Sequence, residues 1–128
     1  MIVLKFGGTS VQDAAWMDKA LDIAADQINR APVLVSSAMS KVTDTLLEIA
    51  SCSETGDEQQ ATKLIEEVRE KHISTADEFL TGSNLIDALS KIKTIIEKLA
   101  SLSKGLLLLR ECTLRSSDTL VSFGEILS

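Results

Sequence analysis

Met1-Ile2-Val3-Leu4-Lys5-Phe6-Gly7-Gly8-Thr9-Ser10-Val11 opens the chain, and how it is read decides the fold. Ile2, Val3 and Leu4 form a short apolar run, the pattern of a strand buried on both faces of a parallel sheet. Two glycines follow directly, then Thr9 and Ser10, either of which suits the cap of a helix starting near Val11. A strand, a glycine turn and a helix start together make an anion site. Free backbone N–H groups and the positive end of the helix dipole face one point, and glycine lets a phosphate approach the backbone. Lys5 adds a full positive charge at the strand's exit. The pattern is not a P-loop, because no Gly-Lys-Ser/Thr follows a four-residue spacer. Taken alone, the same residues also read as a tight turn beside an ordinary strand-end lysine.

Beyond Val11, the apolar residues Ala14, Met17, Leu21, Ala24 and Ile28 recur every third or fourth position, predicting an amphipathic helix from Val11 to Asn29. Pro32 ends it by disfavouring helix at the residue before it. Val33-Leu34-Val35 is a second apolar, β-branched run. Strand, helix and strand in succession make a βαβ unit with a right-handed crossover. The fold class is therefore α/β, with parallel strands near residues 2–6 and 33–37 flanked by helices.

The second strand runs into Ser36-Ser37-Ala38-Met39-Ser40-Lys41-Val42-Thr43-Asp44. Hydroxyls and small residues after a parallel strand sit at the sheet's carboxyl edge, where open α/β sheets bind ligands. The same hydroxyls also read as caps and turn formers, with Ser40 capping a helix that buries Val42, Leu46, Ile49 and Ala50.

Ser53-Glu54-Thr55-Gly56-Asp57 is a polar loop, and residues 58–112 beyond it read as almost wholly helical. Ala61, Leu64, Ile65, Val68, His72, Ala76 and Phe79 mark one helix, ended by Thr81-Gly82-Ser83-Asn84. Leu85, Leu89, Ile92, Ile96, Leu99 and Leu106 mark another, with a kink expected near Ser103-Lys104-Gly105. The two predict an antiparallel hairpin. Their near-heptad stripe reads as intramolecular core rather than a coiled-coil seam, because it lasts barely three heptads. His72 has no second ligand at i+4 and reads as a buried structural histidine. A last helix begins at Ser116-Ser117 and contains Gly124, which is costly there unless a ligand or another segment comes close.

At 128 residues, with 45% hydrophobic and 25% charged residues, the chain suits one globular domain. A net charge of −6 argues against nucleic acid or an anionic membrane as partner. Cys52 and Cys112 fit no zinc spacing and suggest free thiols in a reducing compartment, and no residues suggest a bound metal. No signal-peptide pattern opens the sequence, and the expected location is cytoplasmic.

Three stretches carry a specific resemblance. Lys5-Phe6-Gly7-Gly8-Thr9-Ser10-Val11 closely resembles the N-terminal signature of aspartokinases, members of the amino-acid kinases. Ser37-Ala38-Met39-Ser40-Lys41-Val42-Thr43-Asp44 resembles the second signature, in which many members have glycine at the place of Lys41. Ser122-Phe123-Gly124-Glu125-Ile126-Leu127-Ser128 resembles the third. All three stand in the family's order.

The resemblance implies ATP-dependent phosphorylation of the aspartate β-carboxylate, a first step toward lysine, threonine and methionine, with ATP and Mg2+ as cofactors. It implies that Lys5 acts catalytically on the transferring γ-phosphate, with Gly7, Gly8 and Thr9 also binding phosphate. Ser37, Thr43 and Glu125 would hold aspartate. The implied fold is the N-terminal half of an amino-acid-kinase-like αβα sandwich with a largely helical second half. The family's kinase domain is longer than this chain and carries its adenine pocket further on. Residues 1–128 are therefore expected to be the substrate-side part of a catalytic domain, inactive alone and homo-oligomeric in its parent. The alternative is a non-catalytic amino-acid-binding or subunit-interaction module.

Overall fold

Pairing of the two apolar runs sets the frame. In the computed structural model, which describes residues 1–128, β1 (Ile2–Phe6) and β2 (Pro32–Ser36) lie parallel, with Val3 beside Val33 and Lys5 beside Val35. The connection is α1 (Ala14–Asp26), as expected for a βαβ unit. Side chains alternate across a strand, so Leu4 and Phe6 share one face and Val3 and Lys5 the other. Phe6, Val11 and Ala20 form a small core there, with Leu4 and Met17 packed on it. The opposite face is open: Val3, Val33 and Val35 are 60%, 47% and 44% exposed. Leu34, on the Leu4 face, is 46% exposed as well, so of the strands predicted to be buried on both faces only β1 is covered, and on one face.

The start of α1 differs from expectation. Gly8–Val11 is a single 3-10 turn, and the α-helix begins only at Ala14. Asp13 wins the capping competition over Thr9 and Ser10, since its carboxylate accepts the Trp16 N–H at 3.0 Å. The buried stripe of α1 is Ala14, Ala20 and Ala24, while Leu21 and Ile28 are more than half exposed. The helix stops at Asp26 because a 3-10 turn over Ile28–Arg30 and a left-handed Ala31 redirect the chain into β2.

Four helices form the larger core: α2 (Val42–Thr55), α3 (Glu58–Phe79), α4 (Gly82–Leu109) and α5 (Leu114–Leu127). Val42, Leu46, Ile49 and Ala50 of α2 meet Ala61, Leu64, Val68 and Ala76 of α3. Ile92, Ile96, Leu99 and Leu106 of α4 and Leu120 of α5 complete the cluster. The near-heptad stripe of α4 is thus spent inside the chain.

The connections are tighter than predicted. The expected loop over Ser53–Asp57 shrinks because α2 runs through Thr55; Gly56, at φ 76°, ends it and Asp57 caps α3. Gly82, Ser83 and Asn84 belong to the first turn of α4, which is unbroken through Ser103-Lys104-Gly105. Thr113 rather than Ser116 caps α5, accepting the Ser116 N–H at 3.1 Å. Cys52 is buried and Cys112 half-buried, both as free thiols, and burial pushes both pKa values up. No helix is long and apolar enough to cross a membrane.

Candidate functional site

Parallel pairing puts the ends of β1 and β2 at the same sheet edge, so the loops that follow them are neighbours. The Ser37 N–H donates to the Phe6 carbonyl at 3.0 Å, extending the ladder one step into the second loop. Gly8 sits against that loop. A Cβ on Gly8 would lie 3.0 Å from the Ala38 carbonyl oxygen and 3.6 Å from the Ser40 nitrogen. Only glycine brings the two backbones this close without displacement. Gly7 differs: a Cβ there would meet nothing within 4 Å. One glycine lets the loops touch, and the other borders open space.

Lys5 leaves the end of β1 exposed, and Thr9 is exposed in the 3-10 turn. The ion pairs of the chain are Lys63–Glu67 and Arg69–Glu66, both on α3, so neither Lys5 nor Glu125 is neutralised by a neighbour. The helix dipole expected behind Gly7 and Gly8 is not there. Four 3-10 residues carry little macrodipole, and the N-terminus of α1 lies beyond them with Asp13 as its cap. What this turn can offer an anion is therefore limited to backbone N–H groups and the Lys5 charge.

The second loop ends in a left-handed turn. Lys41 has φ 68° and precedes α2 without offering a side-chain cap, which removes the capping role expected of Ser40. A side chain in this region costs about 1–2 kcal/mol, which glycine avoids. That accounts for glycine at the matching place in many aspartokinases. The shape survives here with lysine in position. Thr43 lies half-buried in the first turn of α2, beside the half-buried Ser37 loop. The amine of Lys71, on α3, donates to the Ser40 carbonyl at 2.6 Å. Partial burial lowers the Lys71 pKa, the Lys41 charge lowers it further, and Asp13 opposes both.

The third signature reaches the same loop. A Cβ on Gly124 would fall 2.9 Å from the Ala38 Cβ, 3.2 Å from Leu46 Cδ1 and 3.4 Å from Val42 Cγ1. Gly124 therefore admits another chain segment, the second of the alternatives its position suggested. Glu125 follows it, exposed on α5. The fold thus brings Gly8 and Gly124 against the loop from Ser36 to Lys41, which carries Ser37 and leads into Thr43 of α2. Lys5 and Thr9 flank Gly7 and Gly8 in sequence, and Glu125 follows Gly124 on α5.

His72 keeps its structural role. It is 3% exposed, and its Nδ1 lies 2.6 Å from the Val68 carbonyl oxygen, so Nδ1–H donates there. Its Nε2 has no protein partner, and the ring borders a cavity of about 250 Å³ among Met39, Phe79 and Ile92. Burial holds its pKa below the ordinary imidazole value. Lys71 was not legible as a site residue, because its contact with the Ser40 carbonyl spans 31 residues.

The family model that matches residues 1–128 is that of the amino acid kinase family. The chain belongs to the amino acid kinase family. Among amino acid kinases it is 39% identical to aspartokinase 1, chloroplastic, of Arabidopsis thaliana, over 98% of this chain and 21% of that protein. It is 30% identical to bifunctional aspartokinase/homoserine dehydrogenase 1, chloroplastic, of Zea mays, over 98% of this chain and 14% of that protein. Its fold matches that of E. coli aspartokinase III in complex with lysine and aspartate, with a TM-score of 0.82 and 25% identity. The same enzyme in complex with aspartate and ADP gives 0.81 and 27%. The match covers 99% of this chain and 26% of the aspartokinase III chain. This amino acid kinase segment is thus aspartokinase-like and spans about a seventh to a quarter of the length of these relatives.

Proposed function

We propose that residues 1–128 form the aspartate-binding and phosphate-gripping part of an aspartokinase. The observation that supports this best is the seating of Gly8 and Gly124 against one loop, from Ser36 to Lys41. All three signature stretches meet at the carboxyl edge of the parallel pair through those two contacts. The aspartate and ADP named for the aspartokinase III complexes support the same substrate pair for this chain.

In this reading the β-carboxylate oxygen of aspartate attacks the γ-phosphorus of ATP. The bond to the ADP oxygen breaks, giving aspartyl phosphate and ADP. The attacking carboxylate is already ionised at neutral pH and needs no base. Lys5 neutralises charge on the equatorial phosphoryl oxygens while Gly7 and Gly8 offer N–H groups, with Thr9 beside them. The open side of Gly7 is space that a phosphate fills and a methyl group would obstruct. Ser37 and Thr43 hydroxyls orient the substrate, and Glu125 pairs with its α-ammonium. No group of three or more His, Cys, Asp or Glu side chains converges as a metal site in this chain.

The test is ATP-dependent aspartyl phosphate formation, trapped as the hydroxamate. The gene product carrying these residues forms it, and residues 1–128 expressed alone do not. Aspartate binding by the gene product without phosphoryl transfer would favour the non-catalytic module instead.

A further inference from the structure

The loop from Ser36 to Lys41 is held at its start by the Ser37–Phe6 backbone bond and at its end by the Val42 N–H to Met39 carbonyl bond of 3.1 Å. Between them, the peptide joining Ser40 to Lys41 must take the orientation that a left-handed Lys41 demands. A peptide unit is planar, so fixing the Ser40 carbonyl fixes the Lys41 N–H and the direction of entry into α2. The group that fixes it is the Lys71 ammonium, 2.6 Å away on α3. The bond is charge-assisted and partly withdrawn from water, which makes it stronger than a neutral surface contact. Thr43 begins two residues beyond the fixed peptide, and Gly8 lies 3.6 Å, by its would-be Cβ, from the Ser40 nitrogen.

We propose that Lys71 is a positioning residue of the substrate loop. It holds the Ser40 carbonyl so that the strained turn at Lys41 persists and the first turn of α2, which carries Thr43, keeps its place beside the loop. Lys71 touches no substrate in this role. Lys41 faces it with like charge and Asp13 with opposite charge, so those two side chains set how firmly the ammonium is held. The inference rests on the aspartokinase reading for its kinetic consequence, and on the local geometry alone for its structural one.

Two measurements on the gene product carrying these residues separate the consequences. Lys71→Met keeps the aliphatic stem and removes the donor. Hydrogen exchange without ligand should speed up about tenfold at the Val42 and Thr45 amides, which donate to the Met39 and Lys41 carbonyls, with the α4 core unchanged. The KM for aspartate should rise about tenfold while that for ATP stays within about twofold. Lys71→Arg should restore most of both. In a Lys41→Gly background, where the turn carries no strain, the Lys71→Met effect should fall below about threefold. Unchanged exchange in that segment overturns the proposal, and so does faster exchange with an unaltered KM for aspartate. If the wild-type gene product phosphorylates no aspartate, the functional reading falls, and the exchange result decides the positioning role by itself.

Discussion

A Cβ placed on Gly124 would lie 2.9 Å from the Cβ of Ala38, closer than two such atoms approach. That contact joins α5 to the substrate loop. Gly124→Ala relieves a helical glycine, worth about 1 kcal/mol, but overpacks the seam with Ala38, Leu46 and Val42, costing about 1–3 kcal/mol. The expected net outcome is a loss of about 1 kcal/mol in urea unfolding with weaker aspartate binding, since Glu125 moves with the helix. A gain in stability without change in binding would contradict the seam.

The neighbouring glycines should respond differently. Gly8→Ala forces a methyl to 3.0 Å from the Ala38 carbonyl, so stability and activity both fall. Gly7→Ala meets no atom, and its extended backbone, at φ −77°, suits alanine. Stability should hold or rise by up to about 1 kcal/mol. Only kcat should fall, because the methyl enters the space given to phosphate. Thermal unfolding and steady-state kinetics on both variants check the split.

Lys41→Gly removes the cost of a side chain at φ 68° and returns some entropy to the unfolded chain. The balance favours the variant by up to about 1 kcal/mol. Calorimetry that finds it less stable than the wild type would indicate that the Lys41 side chain contributes more than its strain costs.

Lys5 and Glu125 should separate along the two substrates. Lys5→Ala should lower kcat foremost, since its contact is strongest to charge in transfer. Glu125→Gln should raise the KM for aspartate about tenfold to a hundredfold, the loss of a charge-assisted bond of about 1.5–3 kcal/mol. The KM for ATP should change little. Varying each substrate in turn checks this, and equal shifts in both KM values would return Glu125 to an ordinary surface carboxylate.

His72 predicts a pH dependence. Burial lowers its folded-state pKa below the unfolded value, so the unfolded chain takes up the proton first. The stability it contributes is whole above about pH 6.5 and declines as pH falls below that, toward the folded-state value. His72→Gln should flatten this part of the profile, measured by urea unfolding at pH 7.5 and 5.5. An unaltered slope would place the proton uptake elsewhere.

What the sequence by itself determined is set by local chemistry. Apolar runs at Ile2–Leu4 and Val33–Val35 with a helix between them leave few topologies, and the observed parallel pair follows. The periodicity of Leu46, Leu64, Ile96 and their neighbours encodes which helix faces are buried. The glycine and hydroxyl motifs mark the sheet edge where the candidate site lies. Tertiary structure decided the rest, because it depends on atoms distant in sequence. The Asp13 cap moved the start of α1 and took the helix dipole from the glycines. Gly8 and Gly124 acquired distinct purposes only when Ala38 was brought against both. Lys71 entered the site across 31 residues, since packing α3 beside the loop places its amine at a carbonyl that no sequence pattern could pair with it.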